Sequence, residues 1–412
     1  MPEAVIVSTA RGPIGRAFKG SLKDERPDDL AAAIVKAALA KIPAFDAADA
    51  DGQGLDDLYL GCAEPSGEAG SNMARVVAIL AGLDNVPAAT VNRFCASSLQ
   101  TLRMAFHAIK AGEGQAFVSA GVEAVSRYRD WAGAGETDAS THNPQFDAAR
   151  KRTAARAASN TPWTDPRLGG RMPDIYISMG QTAENVATSY GISRADQDAW
   201  AVLSQNRTEA AIASGFYTRE ITPYTRKDGV VVGRDDSPRA GVTSESVSAL
   251  QPVFRSEGTV TAGNACPLND GAAAVVVMSE VRARELGLAP LARIVSTGVS
   301  ALSPELMGMG PVEASRRALT LAGLGIGDID LVELNEAFAV QVVASAKELG
   351  IDHSKLNVHG GAIALGHPFG MTGARLATTL LNGLRERDAQ LGLATLCVGG
   401  GQGMAVVLER LG

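Results

Sequence analysis

The chain has 412 residues and a formal net charge of −7, and 46% of its residues are hydrophobic. This composition is typical of a soluble globular protein, and the length predicts two to three domain-sized units. The acidic balance argues against nucleic-acid binding, no apolar run approaches the roughly 20 residues that span a bilayer, and the N-terminus lacks the pattern of a secretory signal. We therefore expect a cytoplasmic protein with no nucleic-acid partner and no membrane span.

Strands and helices alternate in the first 126 residues, which favours an α/β fold with buried sheets. The strands are predicted at Glu3–Ser8, Leu58–Gly61, Thr90–Phe94 and Gln115–Gly121. The helices are predicted at Asp28–Ile42, Asn72–Leu83 and Ala96–Lys110.

The alternation of strands and helices is lost between about residues 127 and 250, and Arg, Asp, Pro, Gly and Ala dominate the early part of this region. Two helices are predicted here, at Gly180–Tyr190 and Ser193–Ser214. The second begins with a capping-type pair, Ser193 and Asp196. We interpret the region as an insertion outside the main sheet.

The alternation then returns and repeats the order of the first part. Strands are predicted at Ala273–Met278, Arg293–Ser296, Leu331–Leu334, Leu356–His359, Ala394–Val398 and Met404–Glu409. Helices are predicted at Val312–Ala322, Glu336–Leu349 and Gly373–Arg387. The repeated order indicates an internal duplication. Two similar halves packed together would place equivalent helix starts near a shared centre, with Cys95 at one start and residues 360–373 at the other.

Four cysteines, Cys62, Cys95, Cys266 and Cys397, are widely spaced and form no C-x-x-C pair, which argues against a structural zinc site and a disulfide framework. Cys95 lies in VNRFCASSLQT, where a predicted strand turns into a helix. Unpaired N–H groups at a helix N-terminus lower a thiol pKa and favour a reactive thiolate. The alternative is a small buried cysteine at a tight turn.

Three more residues have both a chemical and a structural interpretation. His367, in a glycine-rich loop, is suited to taking a proton from a thiol, or is structural. Cys397 precedes three glycines, and is either a second acid/base thiol or a core cysteine. Asn335 either caps the helix that begins at Glu336 or orients a water or an oxyanion.

Together, five segments resemble the signature segments of thiolases, the acetyl-CoA acetyltransferases and 3-ketoacyl-CoA thiolases. In chain order they are VNRFCASSLQ, TAGNACPLNDGAA, NEAFA, GGAIALGHPFGMTGAR and CVGGGQG. IVSTARGPIG and MGQTAENVA are also similar, so the resemblance spans essentially the whole chain. It implies an α/β thiolase fold, in which two duplicated halves form a five-layer αβαβα sandwich. The halves would be residues 1–126 with 247–282, and 283–412, and residues 127–246 would form a loop domain that covers CoA and helps to build tetramers.

The resemblance also implies roles for site residues. Cys95 would be the nucleophile that carries the acyl group, and His367 would activate it. Cys397 would exchange a proton with the acetyl carbon or the incoming CoA thiol. Asn335 would hold a water that, with His367, forms one oxyanion hole, and the N–H groups of Cys95 and Gly399 would form the second. Preorganised donors of this kind stabilise developing negative charge.

CoA contacts are implied along the pantetheine arm, around the acyl end and near the nucleotide end. In that order they are Ala262, Gly263 and Cys266; Met179, Met309 and Phe338; and Arg239. Four positions depart from the common pattern: Cys266 replaces a serine, Ser98 a glycine, Ser178 a histidine and His359 an asparagine. The change at Ser178 favours a degradative enzyme.

The resemblance thus predicts an acyltransferase of fatty-acid oxidation that cleaves 3-ketoacyl-CoA with CoA. CoA would be a substrate, and no cofactor or metal is expected. The alternatives are an acetoacetyl-CoA-forming thiolase, a condensing ketoacyl synthase, which generally lacks the second cysteine, and a non-catalytic CoA-binding subunit of a fatty-acid oxidation complex. We expect a homodimer or homotetramer, with a fatty-acid oxidation subunit as a possible partner. Oxidation would join Cys95 and Cys397 if their Cα atoms lie within about 7 Å.

Overall fold

The computed structural model describes residues 2–49, 53–128, 141–159 and 161–412. Residues 129–140 and 160 of the predicted loop domain therefore lie outside the described residues. The strands are β1 (Ala4–Arg11), β2 (Gly15–Arg16), β3 (Asp57–Gly61), β4 (Ala88–Val91), β5 (Ala116–Ala124), β6 (Tyr224–Thr225), β7 (Val231–Val232), β8 (Asn269–Ser279), β9 (Ala292–Ala301), β10 (Leu331–Leu334), β11 (Leu391–Val398) and β12 (Gln402–Arg410).

The α-helices follow the predicted alternation in both halves. They are α1 (Pro27–Ala40), α2 (Met73–Ala81), α3 (Ser97–Ala111), α4 (Asp147–Ser159), α5 (Met179–Tyr190), α6 (Arg194–Ala213), α7 (Phe216–Glu220), α8 (Ser244–Ser248), α9 (Glu280–Glu285), α10 (Gly310–Ala322), α11 (Ala339–Leu349), α12 (Ala362–Leu365) and α13 (Thr372–Glu386). The predicted capping box of α6 is confirmed, since Ser193 and Asp196 hydrogen-bond reciprocally. Among the described residues, no helix is long and apolar enough to cross a membrane.

The main sheet consists of two half-sheets with the same strand order. The full order is β10-β11-β12-β9-β1-β8-β5-β3-β4. In the N-terminal half, the parallel pair β3 and β5 leads inward to the antiparallel strands β8 and β1, and in the C-terminal half β10 and β11 lead in the same way to β12 and β9. The N-terminal half-sheet has one further strand, β4, which pairs in parallel with β3 at the outer edge. Only two residue pairs, Val5 with Arg293 and Ile6 with Ala292, join the halves at β1 and β9. The repeated order is what the predicted duplication requires.

Apolar side chains divide the molecule into layers. Along β8, Ala273, Val275 and Val277 belong to a central hydrophobic cluster, whereas the alternate residues from Ala272 to Met278 belong to an outer one. This alternation follows from the two-residue period of a strand. The central cluster contains residues of α3 and α13, one outer cluster contains those of α1 and α2, and the other contains those of α10 and α11. Helices thus cover both faces of each half-sheet, as the five-layer prediction requires.

Glycines allow the two central helices to touch through their backbones. A Cβ on Gly373 of α13 would lie 2.2 Å from the Leu99 amide nitrogen of α3. A Cβ on Gly121 of β5 would lie 2.0 Å from the carbonyl oxygen of Gly370, which is in the loop just before α13. The Ala374 N–H in the first turn of α13 donates to Ser98 Oγ of α3 at 2.9 Å. The predicted meeting of the two helix starts is therefore confirmed, and Ser98, a departure from the family pattern, links them.

Two predictions near the second helix start are wrong. Residues 356–359 do not form a strand: Leu356 makes one isolated bridge to Val332, and Asn357 has a left-handed backbone with φ 44°. The Asn357 side chain instead bonds both the N–H and the carbonyl of Leu334. Helix α11 begins at Ala339, after Phe338 in extended conformation, so Asn335 is not its N-cap.

Candidate active site

Cys95 lies in a short 3₁₀ turn, Phe94–Ala96, between β4 and α3. Phe94 has a left-handed backbone with φ 44°, which is uncommon outside glycine and produces a sharp turn directly before Cys95. The Cys95 side chain is half-buried, its turn contacts β11, and the N–H of Gly399 lies near enough to lower the pKa of its thiol. The turn therefore presents the sulfur to the C-terminal half of the chain.

The thiol pKa of Cys95 shifts opposite to the sequence-based expectation. Burial raises it to about 12, and this outweighs the lowering by the Gly399 N–H and by its own N–H. Desolvation wins because a thiolate loses far more hydration than a thiol does. The resting form is thus the thiol, and a nucleophilic sulfur needs a base within reach.

His367 lies in the loop before α13 and is 1% exposed. Its Nδ1 lies 2.7 Å from Thr372 Oγ1, and that hydroxyl donates to the Pro368 carbonyl. Because the hydroxyl proton is already used, Nδ1 must carry the imidazole proton and Nε2 must be the acceptor. Burial, with the nearby charge of Arg375, lowers the pKa of His367 to about 3. The ring is therefore neutral near pH 7, with its Nε2 lone pair available.

Asn335 fixes the Nε2 side of this ring. Its Nδ2 lies 3.3 Å from His367 Nε2, which is the arrangement expected when Nε2 accepts. Its Oδ1 is buried and has no hydrogen-bond partner among the described residues. The site thus holds an unused acceptor beside the base, suited to a water molecule or a substrate donor.

Cys397 is the last residue but one of β11 and is fully buried. Its S–H donates to Oε1 of Gln341 at 2.9 Å. Burial raises its pKa well above the usual value, and the charges of Cys95 and Cys266 raise it further, so these three sulfurs lie in one electrostatic neighbourhood. The following turn has φ of 73° at Gly400 and 76° at Gly401, a conformation that glycine adopts without strain. This turn carries the Gly399 N–H to Cys95.

A cavity of about 540 Å³ leads to this neighbourhood. Four predicted CoA contacts line it: Arg239, Ala262, Gly263 and Cys266. Arg16 lines it as well, and sequence reasoning missed it although it directly follows the similar segment IVSTARGPIG. The side chains of Arg16 and Arg239 make no hydrogen bond or ion pair within the described ranges. Two unpaired cations thus face one cavity of a protein whose net charge is negative.

The three residues predicted around the acyl end do not line that cavity. Met179, Met309 and Phe338 lie in the outer hydrophobic cluster of the C-terminal half. Phe338 is nevertheless adjacent to the cavity, because it bridges to Ala265 and the Cys266 N–H donates to the Ala337 carbonyl. Ser178 lines a separate cavity of about 290 Å³ with Tyr176 and Ile177.

Two buried carboxylates hold the site's loops, and sequence reasoning assigned neither this role. Glu336 accepts hydrogen bonds from Trp200, Ser204, Asn357 and the Ile363 N–H. It therefore ties α6 to the loop that leads to His367. Glu123 accepts from the N–H groups of Ala63 and Gly370, and so ties β5 to the same loop. The hydrogen-bond partners of both carboxylates are distant in the chain, so the sequence gives no signal for either role.

Comparisons with known proteins agree over the whole chain. A family model described as "Thiolase, N-terminal domain" matches residues 4–281, and one described as "Thiolase, C-terminal domain" matches residues 288–410. A "3-ketoacyl-CoA thiolase" of Bacillus subtilis is 43% identical over 99% of this chain and 100% of that protein. An "Acetyl-CoA acetyltransferase" of Escherichia coli is 45% identical over 100% of both. The crystal structure of the Bacillus anthracis acetyl-CoA acetyltransferase has a TM-score of 0.84 at 36% identity, over 100% of this chain and 99% of that one.

Proposed function

This chain belongs to the thiolase family, and we propose that it cleaves 3-ketoacyl-CoA with CoA, through an acyl group carried on Cys95, to give acetyl-CoA and a shortened acyl-CoA. One observation carries the proposal: the turn that holds the half-buried Cys95 contacts both β11, which contains Cys397, and α13, whose first residue, Thr372, holds the neutral His367 ring. A nucleophile, a donor and a base are thereby supplied by opposite halves of the chain.

The first half-reaction breaks the carbon–carbon bond. His367 Nε2 takes the Cys95 proton as the sulfur attacks the 3-keto carbon. The C2–C3 bond then breaks, its electron pair passes to C2, and Cys397 protonates C2 to release acetyl-CoA. The Cys95 and Gly399 N–H groups stabilise the tetrahedral oxyanion, while protonated Nε2, with a water held by Asn335 Oδ1, stabilises the enolate oxygen.

The second half-reaction restores the enzyme. The incoming CoA thiol gives its proton to the Cys397 thiolate, and the CoA sulfur attacks the acyl–Cys95 thioester. The Cys95 sulfur leaves as the new thioester forms and recovers its proton from His367. All three groups return to their resting protonation states.

The cavity supports CoA as the substrate that reaches this site. Its two arginines, Arg16 and Arg239, offer the positive charge that CoA phosphates need, since guanidinium groups bind phosphate oxygens with paired N–H bonds. Cys266, on the same cavity, brings its lining to the neighbourhood of Cys95. In this proposal the pantetheine arm of CoA lies along the cavity between these two ends.

The test is thiolysis of a series of 3-ketoacyl-CoAs by the purified protein, from acetoacetyl-CoA to longer chains. We expect turnover of at least one substrate, and an acyl adduct on Cys95 in a mass-spectrometric peptide map. Cys95→Ala should remove both. Absence of turnover at every chain length, or an adduct on Cys266 in place of Cys95, contradicts the proposal.

The reverse direction, which makes acetoacetyl-CoA from two acetyl-CoA molecules, is the second candidate. It is favoured by the 45% identity with the acetyltransferase of Escherichia coli. The same substrate series separates the two roles, because a dedicated acetoacetyl-CoA enzyme loses kcat/KM sharply beyond four carbons.

We also propose that two copies pair through β4. This strand is the open edge of the N-terminal half-sheet, and all four of its residues are half-buried. Exposed apolar side chains flank it: Val76, Ile79, Leu80 and Phe94. An unpaired edge strand can join its own copy across a twofold axis, and doing so would cover the turn that carries Cys95. Light scattering should give a dimer or tetramer, and Leu80→Glu a smaller particle; a monomeric native protein overturns the pairing.

A further inference from the structure

Gln341 is a fully buried side chain on α11 whose amide is only half used. Its Oε1 accepts the Cys397 S–H at 2.9 Å. Its Nε2 has no hydrogen-bond partner among the described residues. The segment at Gly308 packs closely against it, because a Cβ on Gly308 would lie 2.7 Å from Gln341 Cβ.

A buried amide donor without a partner is costly and rare in native structures, so this one needs an explanation. The explanation lies in what Cys397 can offer in each protonation state. A thiol has a proton to donate and pairs with the amide oxygen. A thiolate has no proton, so it pairs only with a donor, and the unused N–H₂ group is on the same carboxamide.

We propose that Gln341 is a positioning residue that serves both protonation states of Cys397 by turning its amide half a turn. With the thiol, Oε1 accepts from S–H; with the thiolate, Nε2–H donates to the sulfur. This inference rests on the proposed acid/base role of Cys397. Turning breaks no other hydrogen bond of the amide within the described structure, and the terminal torsion of glutamine has a broad, soft profile.

The exchange matches the two halves of the proposed reaction. Once Cys397 has given its proton to C2, the amide turns and its N–H steadies the thiolate. Once CoA has returned a proton to the sulfur, the amide turns back. No covalent bond of the glutamine forms or breaks. The Cys397 sulfur has a hydrogen bond to the Gln341 amide in both protonation states.

The proton transfer is measured directly by incorporation of solvent deuterium into the acetyl methyl group of acetyl-CoA, followed by NMR. Gln341→Met keeps the side-chain volume and removes both polar atoms, and Gln341→Glu keeps acceptors and removes the donors. We expect deuterium incorporation and the kcat of thiolysis to fall about 10- to 100-fold in both variants, which is less than the roughly 10²- to 10⁴-fold contribution of an acid/base group itself, because Gln341 only positions Cys397. KM for CoA should stay unchanged.

Acylation of Cys95 by p-nitrophenyl acetate is the internal control, because nitrophenolate leaves without needing a proton from Cys397. The acylation burst should match the native protein in both variants. Gln100→Met is the matched substitution: Gln100 on α3 is also buried and its Oε1 lacks a partner among the described residues, so incorporation should be unchanged.

Native deuterium incorporation in Gln341→Met, or in Gln341→Glu, overturns the proposal. A lost burst together with lost incorporation also overturns it, because it indicates that Gln341 supports the fold of the site rather than Cys397. Failure of the native protein to turn over any 3-ketoacyl-CoA is a different result, and it contradicts the proposed function itself.

Discussion

The two central helix starts have the same topology and opposite surroundings. In the N-terminal half, a strand with an open edge turns at once into α3, and the turn holds Cys95 half-buried. In the C-terminal half, the equivalent strand is reduced to one bridge at Leu356, and a long buried loop leads to His367 and α13. The duplicated halves have diverged so that one leaves the proposed nucleophile half-buried and the other buries the proposed base almost completely.

The largest effect is expected when the proposed base, His367, is removed from the loop before α13. His367→Ala should lower kcat/KM for thiolysis by about 10²- to 10⁴-fold, the usual contribution of a positioned general base. The burst from p-nitrophenyl acetate should fall as well, because Cys95 rests as a thiol. A loss below tenfold would falsify the division of labour between the halves.

A second change tests whether the helix starts must touch. Gly373→Ala places a Cβ against the Leu99 backbone, and overpacking of this kind costs about 1–3 kcal/mol. Urea unfolding should show that loss. Gly327→Ala is the control, since a Cβ there meets nothing within 4 Å and surface changes stay within about 0.5 kcal/mol. Equal stability of the two variants would show that the helices can separate.

The pH dependence of stability tests the burial of the base. The pKa of His367 is about 3 when folded, below the ordinary unfolded value of about 6.5. Between these values the unfolded chain binds a proton that the folded chain does not. The contribution of the neutral His367 ring to the free energy of unfolding is thus complete above pH 6.5. It decreases as the pH drops, by about 2 kcal/mol between pH 7 and pH 5. His367→Asn should flatten this part of a urea-unfolding series; an unchanged slope contradicts the buried neutral ring.

The smallest expected effect concerns the hydrogen bond between the two starts. Ser98→Ala leaves the Ala374 N–H without its acceptor, which should cost about 1 kcal/mol in the free energy of unfolding. A neutral Ser98→Ala would mean that glycine-mediated packing, without this hydrogen bond, holds the two helix starts together.

The sequence predicted most of the strands because their apolar runs are bounded by turns. Leu331–Leu334 was predicted with the bounds that the structure has. The Cys95 turn was also predicted, since a β-rich run meets a helical one there. What failed depended on distant contacts: Phe338 is held extended by its bridge to Ala265, which overrides the helical pattern that begins at Glu336.

Site chemistry was less predictable than site composition. The direction of the Cys95 pKa shift depends on how much water the folded site excludes, and sequence shows only the helix start. Gln341 carries no local signal, because its importance lies in a contact with a residue 56 positions away. The identities of Arg239 and Cys266 as cavity residues followed from the resemblance, whereas Arg16 needed the folded cavity. The proposed pairing of Cys95 with Cys397 by oxidation stays a prediction.

The position of β8 in the chain delays completion of the N-terminal half-sheet during synthesis on the ribosome. It pairs with β1 on one side and β5 on the other, yet it follows the whole insertion in the chain. The first 126 residues therefore emerge with a gap in the middle of their sheet, and β5 waits on the order of ten seconds for its neighbour at about 5–20 residues per second. During that interval the unfilled strand edges are open to wrong partners, so a nascent chain of this kind has most need of chaperone protection before β8 appears.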